Sequence, residues 1–253
     1  MTHKTAAILA IGDELLSGRT RDANINFLAG WLTERAIALK EARIVADDEG
    51  AIIEALNSLR ARNDYIFTSG GIGPTHDDIT YAAVGAAFGR PVVEHPEAIR
   101  LIAAWYEARG EEVTPARRRM ALMPQGAELI MNPVTGAPGV RIENVFVMAG
   151  VPSIFKGMLT AVETALERGV LVHSRAVTAI NLPESRLAEH LLAIQNALKG
   201  VSLGSYPIDG DEKGVTIVAR SENPATAEAA IASVSAAMRA LGADPIAGER
   251  PGR

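Results

Sequence analysis

Cysteine is absent from the sequence and aromatic residues are scarce, and each shortage excludes a class of protein. Without cysteine the chain can form no disulfide, no thiolate metal site and no cysteine nucleophile. Aromatic residues occupy 4% of the 253 positions, so the core has to be built from alanine, valine, isoleucine and leucine. No apolar run is long enough to span a bilayer, and Asp13 and Glu14 interrupt the first run before a signal-peptide core develops. We therefore expect a cytoplasmic protein without membrane contact.

The charge balance argues against a nucleic-acid partner. The net charge is −5, whereas domains that bind nucleic acids usually gather positive charge. Hydrophobic residues at 48% and charged residues at 22% are typical of globular proteins, which excludes a disordered chain and a fibre. The length suits one large domain, or an α/β domain with a smaller partner domain.

The larger, N-terminal part of the sequence alternates between predicted strands and predicted helices. Short β-branched runs, typical of buried parallel strands, alternate with segments of helical periodicity. Strands are predicted at residues 5–11, 42–46, 65–69, 127–131 and 145–148, and helices at 26–35, 50–59, 82–88, 97–109, 115–122 and 152–168. This order predicts an α/β domain over residues 1–168, with a mostly parallel sheet and right-handed crossovers.

The pattern restarts near residue 169. Strands are predicted at residues 170–180, 201–206 and 215–220, and helices at 185–198 and 224–241. A β-α-β-β-α unit of this size forms a small two-layer domain, which we assign to residues 169–245. The segment PIDGDEKG between the last two strands predicts a hairpin loop, and residues 246–253 are expected to form a loose tail.

The glycine-rich segment TSGGIGPTHDDIT, residues 68–80, is the strongest candidate for a binding site. It lies where a strand gives way to a helix, and its glycines let several backbone N–H groups approach an anion. The N-terminus of the following helix would add its own unpaired N–H groups. Phosphate is therefore the expected ligand class. The segment is not a P-loop, because no Gly-Lys-Ser/Thr follows, and it also lacks the glycine spacing of a dinucleotide site.

Asp77 and Asp78 stand beside the expected phosphate, and two interpretations of them are open. Two carboxylates would repel a phosphate unless a divalent cation such as magnesium or manganese lies between them. Alternatively, Thr75 and Asp78 form a capping box at the start of the next helix. The spacing alone does not separate a metal or catalytic role from capping.

Further polar residues stand at other strand ends. Gly12, Asp13 and Glu14 end the first strand, and residues 47–49 end the second. Ligands collect at the carboxyl edge of an open parallel sheet, so the first strand end and the glycine-rich turn are expected to line one crevice. For residues 47–49 we favour a structural role, in which the acids begin a helix.

An asparagine and two glycine-containing loops complete the candidates. The amide of Asn24 could bind a ligand oxygen, or it could cap a helix. The loops around Gly136 and Gly139, and around Gly150 and Pro152, either face the same crevice or serve as structural turns.

Three motifs in this order resemble a known family. The segments GDELLSGRTRDANINFLA, SGGIGPTHDDIT and NPVTGAPG, the last followed by GVP, resemble the molybdopterin-binding domain of molybdenum cofactor biosynthesis proteins. Within that family they are most similar to the N-terminal part of competence/damage-inducible protein A. The resemblance covers residues 4–168 and implies a three-layer sandwich with a mostly parallel sheet and a pocket at the strand ends. Residues 170–245 resemble the small KH-like α/β domain that follows in the same family.

The resemblance also implies two functions for the pocket. In the molybdopterin branch the glycine-rich motif binds a pterin phosphate, and the aspartate matching Asp78 is required for adenylyl transfer. In the competence-protein branch the same pocket is associated with metal-dependent hydrolysis of ADP-ribose. Our leading hypothesis is a pyrophosphatase acting on ADP-ribose or a related nucleotide. The alternative is a molybdopterin-binding protein or adenylyltransferase.

The residues expected to carry this chemistry form three overlapping sets. The catalytic residues are Asp78 and Asp77. A divalent ion, magnesium, manganese or cobalt, is expected on Asp77, Asp78 and Glu14. The nucleotide or pterin phosphate is expected on Gly12, Asp13, Glu14, Asn24, Ser69, Gly70, Gly71, Gly73, Thr75, Gly136, Gly139, Gly150 and Pro152. Ala149 and Ile154 depart from the family pattern at the rim of the pocket, where proline and an acidic residue are usual.

The second unit is not expected to bind RNA. RNA-binding KH domains clamp the backbone with a G-x-x-G loop, whereas the segment GDEKG, residues 210–214, has one residue too many and two acids. We expect the small molecule to be the main partner. The resemblance also favours a homodimer.

Overall fold

A computed structural model describes residues 3–209 and 212–249. The chain divides into two compact units, Met1–Gly169 and Val170–Arg253. Part of the predicted hairpin loop and of the segment GDEKG lies outside the described residues, as does the end of the predicted tail.

The first unit alternates strands and helices, as the sequence predicted. Its elements are β1 Lys4–Ile11, α1 Asp13–Leu16, α2 Asn24–Thr33, β2 Ile37–Val45, α3 Glu49–Arg60, β3 Tyr65–Ser69, α4 Thr80–Ala87, β4 Val92–Glu94, α5 Pro96–Glu107, α6 Pro115–Arg119, β5 Leu122–Pro124, β6 Glu128–Ile130, β7 Gly139–Ile142, β8 Val145–Met148 and α7 Pro152–Val162. A 3-10 turn at Glu163–Ala165 follows α7.

The main sheet has the strand order β2-β1-β3-β8-β7-β6. β2, β1, β3 and β8 are parallel, and β7 and β6 add an antiparallel edge, so the predicted α/β class with a mostly parallel sheet is confirmed. The chain passes from β1 to β2 on one side and then returns past β1 to β3. Crossovers between parallel strands are right-handed, and the crossover from β1 to β2 runs in the opposite direction to the one from β2 to β3. The helices α2 and α3 therefore lie on opposite faces of the sheet, which makes three layers. A crevice opens where the strand order reverses, at the carboxyl ends of β1 and β3.

The core of this unit lies on the central strands. Residues 6–11 of β1 are all buried, as the apolar run on a parallel strand predicts. The few aromatic side chains are concentrated here: the Phe67 and Phe146 rings stack with centroids 5.2 Å apart on neighbouring strands β3 and β8. Tyr65 meets the edge of Phe146 at 6.3 Å. These buried rings therefore pack β3 and β8 together in the core.

Several elements of the first unit differ from the sequence prediction. The helix expected at 115–122 ends at Arg119, because Leu122–Pro124 pairs as strand β5 with β4. The helix expected at 152–168 ends at Val162. Residues 139–142 were interpreted as loop but form β7, which pairs with β8. Strands of three or four residues are too short to show a period of two in the sequence, so tertiary pairing decides them.

The second unit contains an antiparallel sheet and two α-helices. Its elements are β9 His173–Ile180, a 3-10 turn Glu184–Arg186, α8 Ala188–Ala197, β10 Val201–Ile208, β11 Gly214–Ser221, α9 Pro224–Ala240 and β12 Pro245–Ala247, with the strand order β10-β11-β9-β12. The loose tail predicted from residue 246 is wrong at its start, since Ile246 and Ala247 pair with Thr178 and Val177 of β9.

Small residues of α9 pack inside the second unit. Ala227, Ala230, Val234 and Met238 are buried on one side of this helix, so its alanines serve core packing. The expected homodimer stays a prediction, which light scattering tests. None of the helices in the described ranges is both long and apolar enough to cross a membrane.

Candidate functional site

A cavity of about 580 Å³ opens at the carboxyl ends of β1, β3 and β8. It therefore lies at the switch in strand order, where the sequence predicted the crevice. Of the predicted site residues, it is lined by Gly12, Glu14, Gly70, Gly71, Gly73, Asp77, Asp78, Gly150 and Pro152. Ala149 and Ile154, the two departures from the family pattern, also line it.

The turn after β3 requires glycine at two consecutive positions. Gly70 has φ +116° and Gly71 has φ +66°, a region that other residues rarely adopt. A Cβ atom on Gly70 would lie 2.2 Å from the Ile11 carbonyl oxygen, and one on Gly71 would lie 2.1 Å from Thr80 Oγ1. Thr80 fixes the turn, because its hydroxyl donates to the Gly70 carbonyl at 3.0 Å and its N–H to the Gly71 carbonyl at 3.0 Å.

Asp78 holds the second half of this turn. Its Oδ1 accepts the Gly73 N–H at 2.7 Å, and its Oδ2 accepts the Thr75 N–H at 2.8 Å and the Thr75 hydroxyl. The capping-box interpretation is wrong, because α4 begins only at Thr80 and has Ile79 as an N-cap without a side-chain bond. Asp78 instead closes the loop between β3 and α4 and lines the cavity at the same time.

The glycine turn contributes free backbone N–H groups to the cavity wall. The N–H groups of Gly71 and Ile72 donate to no acceptor among the described residues, whereas those of Gly73 and Thr75 are taken by Asp78. Consecutive free N–H groups in a turn form an anion-binding concavity.

The helix that faces the cavity is α7, and the expectation that α4 would do so is wrong. No residue of α4 lines the cavity, and its first N–H is bonded to the Gly71 carbonyl. The first residues of α7 do line it: Val151 is an N-cap without a side-chain bond, and Pro152 stands at the first helical position. The partial positive charge of a helix N-terminus thus points at this cavity.

Four carboxylates line the same cavity: Glu14, Asp47, Asp77 and Asp78. Asp78 is engaged in its own turn, which leaves the other three to face an anion. Burial raises the pKa of Asp47, and the negative charges of Asp13, Glu14 and Asp77 raise it further, against the lowering effect of the Asp13 N–H that it accepts. The pKa of Asp77 is lowered, first by hydrogen bonding from the Thr75 side chain and also by His76. The wall thus combines amides that attract an anion with acids that repel one.

The acids at the ends of β1 and β2 divide into two roles. Asp48 caps α3, accepting the Ala51 N–H at 2.8 Å, which confirms the helix-start interpretation for this residue. Asp47 departs from that interpretation, because it faces the cavity. Asp13, predicted to bind the ligand, does not line the cavity. Its N–H donates to Asp47 Oδ2 at 3.0 Å, and its Oδ1 accepts the Asp47 N–H at 3.4 Å, so it clamps the two strand ends together.

Asn24 and Ser69 lie behind the cavity wall rather than in it. Both are buried, and Asn24 Nδ2 donates to Ser69 Oγ at 2.8 Å and to the Gly150 carbonyl at 2.7 Å. They line a smaller adjoining pocket of about 60 Å³. Asn24 is the first residue of α2, so it is not a helix cap, and its amide ties α2 to the ends of β3 and β8.

Three more predicted ligand residues do not line the cavity. Gly136 packs against Trp105, where a Cβ would lie 2.5 Å from the Trp105 Cβ. Gly139 belongs to β7, and a Cβ there would lie 2.4 Å from the Val147 carbonyl oxygen. Thr75 turns to Asp78. Close packing therefore requires glycine at positions 136 and 139, and Thr75 serves the turn.

The loop before β7 reaches the cavity through its other residues. Asn132, Thr135, Ala137 and Pro138 line the cavity. Asn132 organises the loop, since its Nδ2 donates to the Ala137 carbonyl at 2.8 Å and its Oδ1 accepts the Val134 N–H at 2.9 Å. Tyr81 fastens it to α4 by donating its hydroxyl to the Pro138 carbonyl at 3.0 Å, and burial raises the pKa of that phenol.

Several residues of the wall were not among the ligand residues predicted from the sequence. They are Thr20, Asp47, Tyr106, Met120, Asn132 and Met158. Asn132 and Thr20 lie in segments that the resemblance used, NPVTGAPG and GDELLSGRTRDANINFLA, and Asp47 was assigned a structural role. Tyr106, Met120 and Met158 belong to no motif.

The carboxylates of the cavity meet the needs of a divalent ion only in part. Carboxylate oxygen is the correct ligand type, but no group of three or more His, Asp or Glu within the described part of the chain is arranged to hold a metal ion. Asp78 was expected to be a metal ligand, but both of its carboxylate oxygens accept backbone N–H groups of its own turn. Magnesium is often held by only one or two carboxylates together with substrate phosphates, so the residues suit an ion that binds with a phosphate ligand.

Because the pKa of Asp47 is raised, we predict that neutralising this residue increases the free energy of unfolding in a pH-dependent way. The folded state holds the Asp47 proton more tightly than the unfolded chain does. Ionisation of Asp47 therefore destabilises the fold at neutral pH. This destabilisation disappears when the pH falls through the raised pKa and Asp47 becomes protonated. We expect Asp47→Asn to raise the free energy of unfolding at pH 7 and to lose that advantage towards pH 4, in urea unfolding at both values. Asp48→Asn is the control, since asparagine caps a helix as well as aspartate does. An equal effect of Asp47→Asn at both pH values would contradict the electrostatic origin.

Comparisons with known proteins match a family to each of the two units. A family profile described as probable molybdopterin binding domain matches residues 7–168. A second profile, FAD synthase, middle domain, matches residues 172–244.

Relatives match both units in sequence. A protein of Pyrobaculum calidifontis is 35% identical over 252 residues, which cover 94% of this chain and 94% of its own. A CinA-like protein of Gloeobacter violaceus is 34% identical over 248 residues, covering 94% of this chain but only 58% of the relative. The crystal structure of the protein CinA of Thermoplasma acidophilum, described as of unknown function, is 30% identical with a TM-score of 0.59 and covers 64% of this chain and 97% of its own.

Proposed function

This chain belongs to the molybdopterin-binding domain family, the family that its three motifs predicted, and on that premise we propose that its cavity binds a phosphorylated small molecule of the pterin type. The observation that carries the proposal is the pair of free N–H groups of Gly71 and Ile72 in the cavity wall. The N-terminus of α7 supports the same anion. The cavity, at about 580 Å³, has the size of a small-molecule site, which is roughly 300–1,000 Å³.

Titration calorimetry with molybdopterin beside ADP-ribose tests this proposal. We expect saturable binding of one pterin per chain, with an affinity at least tenfold above that for ADP-ribose, about 1.4 kcal/mol. Absence of binding to molybdopterin, or a preference for ADP-ribose by the same factor, would contradict it.

A second function, hydrolysis of the pyrophosphate of ADP-ribose or a related nucleotide, is favoured by the acids in the same wall. A bare pyrophosphate would be repelled by Glu14, Asp47 and Asp77. A divalent cation that accompanies the pyrophosphate would relieve this repulsion. It would also relieve the repulsion among the acids, which adds to burial in raising the pKa of Asp47. Such an ion would polarise the phosphoryl group and lower the pKa of an attacking water. The chain's own contribution is to hold the phosphate on the Gly71 and Ile72 amides and to neutralise the ion with these carboxylates.

Incubation of the protein with ADP-ribose and magnesium, manganese or cobalt tests this second function. AMP and ribose 5-phosphate are the expected products, and Glu14→Gln should lower their rate of formation by about tenfold or more. The control Glu189→Gln lies in α8, outside the cavity, and should leave the rate unchanged. No products with any of the three metals would exclude hydrolysis and leave the pterin-binding proposal standing.

A further inference from the structure

Tyr106 is the one aromatic side chain that lines the cavity among the described residues. It stands near the end of α5 and is half-buried. The cavity wall also has an apolar part, to which Met120, Ile154 and Met158 contribute. Neither the glycine turn nor the acids account for an aromatic ring at this place.

The Tyr106 ring is held from one side by an arginine. The guanidinium carbon of Arg117 lies 3.8 Å from the ring centroid and covers one face of the ring. Arg117 is itself anchored, because it pairs with the Glu111 carboxylate and donates to the Glu112 carbonyl at 2.6 Å. The ring is therefore held by Arg117 and by the core against which it packs, and part of its surface lines the cavity.

Resting on the proposed function, we infer that Tyr106 determines specificity by stacking against a flat heteroaromatic ring of the ligand. A purine and a pterin both offer such a ring, whereas a sugar phosphate does not. Aromatic rings prefer offset-stacked or edge-to-face contact with one another, and every planar base has a face that a tyrosine can cover. The cation on the far side of the Tyr106 ring keeps the ring in place for this contact. The ligand would thus be bipartite, with phosphate on the Gly71 and Ile72 amides and its ring on Tyr106.

Two matched pairs of ligands test the inference by titration calorimetry. AMP and ribose 5-phosphate differ by the base. Neopterin monophosphate and glycerol 3-phosphate differ by the pterin ring, since both contain the same three-carbon phosphorylated chain. The wild-type protein should prefer the ring-bearing member of at least one pair. Tyr106→Leu, which keeps apolar bulk, should reduce that preference by about tenfold and leave the affinity for the ring-free member unchanged.

Two further variants separate stacking from general support of the wall. Tyr106→Phe should restore the preference, because it keeps the ring. Tyr206→Leu is the control, since Tyr206 also has an arginine, Arg220, near its ring but belongs to the second unit and does not line the cavity. It should not change the preference.

The outcomes distinguish this inference from the function on which it rests. If Tyr106 is needed for the ring preference in one pair only, that pair identifies the ring as purine or pterin. If it is needed in both pairs, the result supports stacking and shows that Tyr106 accepts either ring. Tyr106 does not select the ligand if Tyr106→Leu lowers the affinity for both members of a pair equally, or if the wild-type protein shows no preference for a ring. The inference about Tyr106 is then wrong, while the proposed phosphate binding stands. If the wild-type protein binds none of the four compounds, phosphate binding itself is wrong.

Discussion

Replacing Gly71 with alanine should lower the free energy of unfolding by about 3 kcal/mol and remove ligand binding. A non-glycine residue at this positive φ costs about 1–2 kcal/mol. The new Cβ would also lie 2.1 Å from Thr80 Oγ1, so the buried Thr80 side chain must rotate and give up its bond to the Gly70 carbonyl, worth about 1 kcal/mol. Urea unfolding and ligand titration of the single variant measure both effects.

Gly89→Ala is the matched control for Gly71→Ala. Gly89 has φ +62°, close to the +66° of Gly71, but a Cβ there would meet no atom within 4 Å. Its cost should be about 1–2 kcal/mol, which is the backbone contribution alone. Equal losses in the two variants would show that Thr80 plays no part in shaping the turn.

Asp78→Asn should cost about 2 kcal/mol and weaken phosphate binding by about tenfold or more. Both carboxylate oxygens of Asp78 accept backbone N–H groups, from Gly73 and from Thr75. Asparagine has one oxygen, so its NH₂ group would face one of these donors, and an unsatisfied donor costs about 1–3 kcal/mol. The turn that presents the Gly71 and Ile72 amides would then lose its shape. Thermal unfolding and ligand titration check the two parts.

The same substitution at Asp48 should be nearly silent. Asp48 Oδ1 accepts a single N–H, that of Ala51, and asparagine supplies that oxygen equally well. A loss at Asp78 without a loss at Asp48 is therefore the signature of a carboxylate that uses both oxygens. If Asp78→Asn keeps full stability but abolishes catalysis of ADP-ribose hydrolysis, Asp78 acts in the chemistry and not in the turn.

The sequence predicts the sheet and the place of the cavity well, because both follow from local patterns. Buried runs on β1 and β3, followed by Gly12 and by Gly70, mark strand ends that a parallel sheet must bring to one edge. The short strands β4, β5 and β7 escape prediction, because pairing partners distant in the sequence decide them.

The roles of individual side chains were harder to predict than their location. The spacing of Thr75 and Asp78 fits a capping box, and only the start of α4 at Thr80 shows that the carboxylate closes a turn instead. Asp47 and Asp48 are neighbours with the same side chain, yet one faces the cavity and the other caps α3. Tyr106 reaches the wall from α5, and no motif marks it.

The most direct test of phosphate binding by the glycine turn is a ¹⁵N-¹H NMR titration with neopterin monophosphate. The free amides of Gly71 and Ile72 would become hydrogen-bond donors, so their resonances should show the largest downfield shifts in the chain, while the amide of Gly89 outside the cavity stays unchanged. If the ligand binds and shifts other amides while those of Gly71 and Ile72 stay in place, the phosphate is bound elsewhere and the account is contradicted.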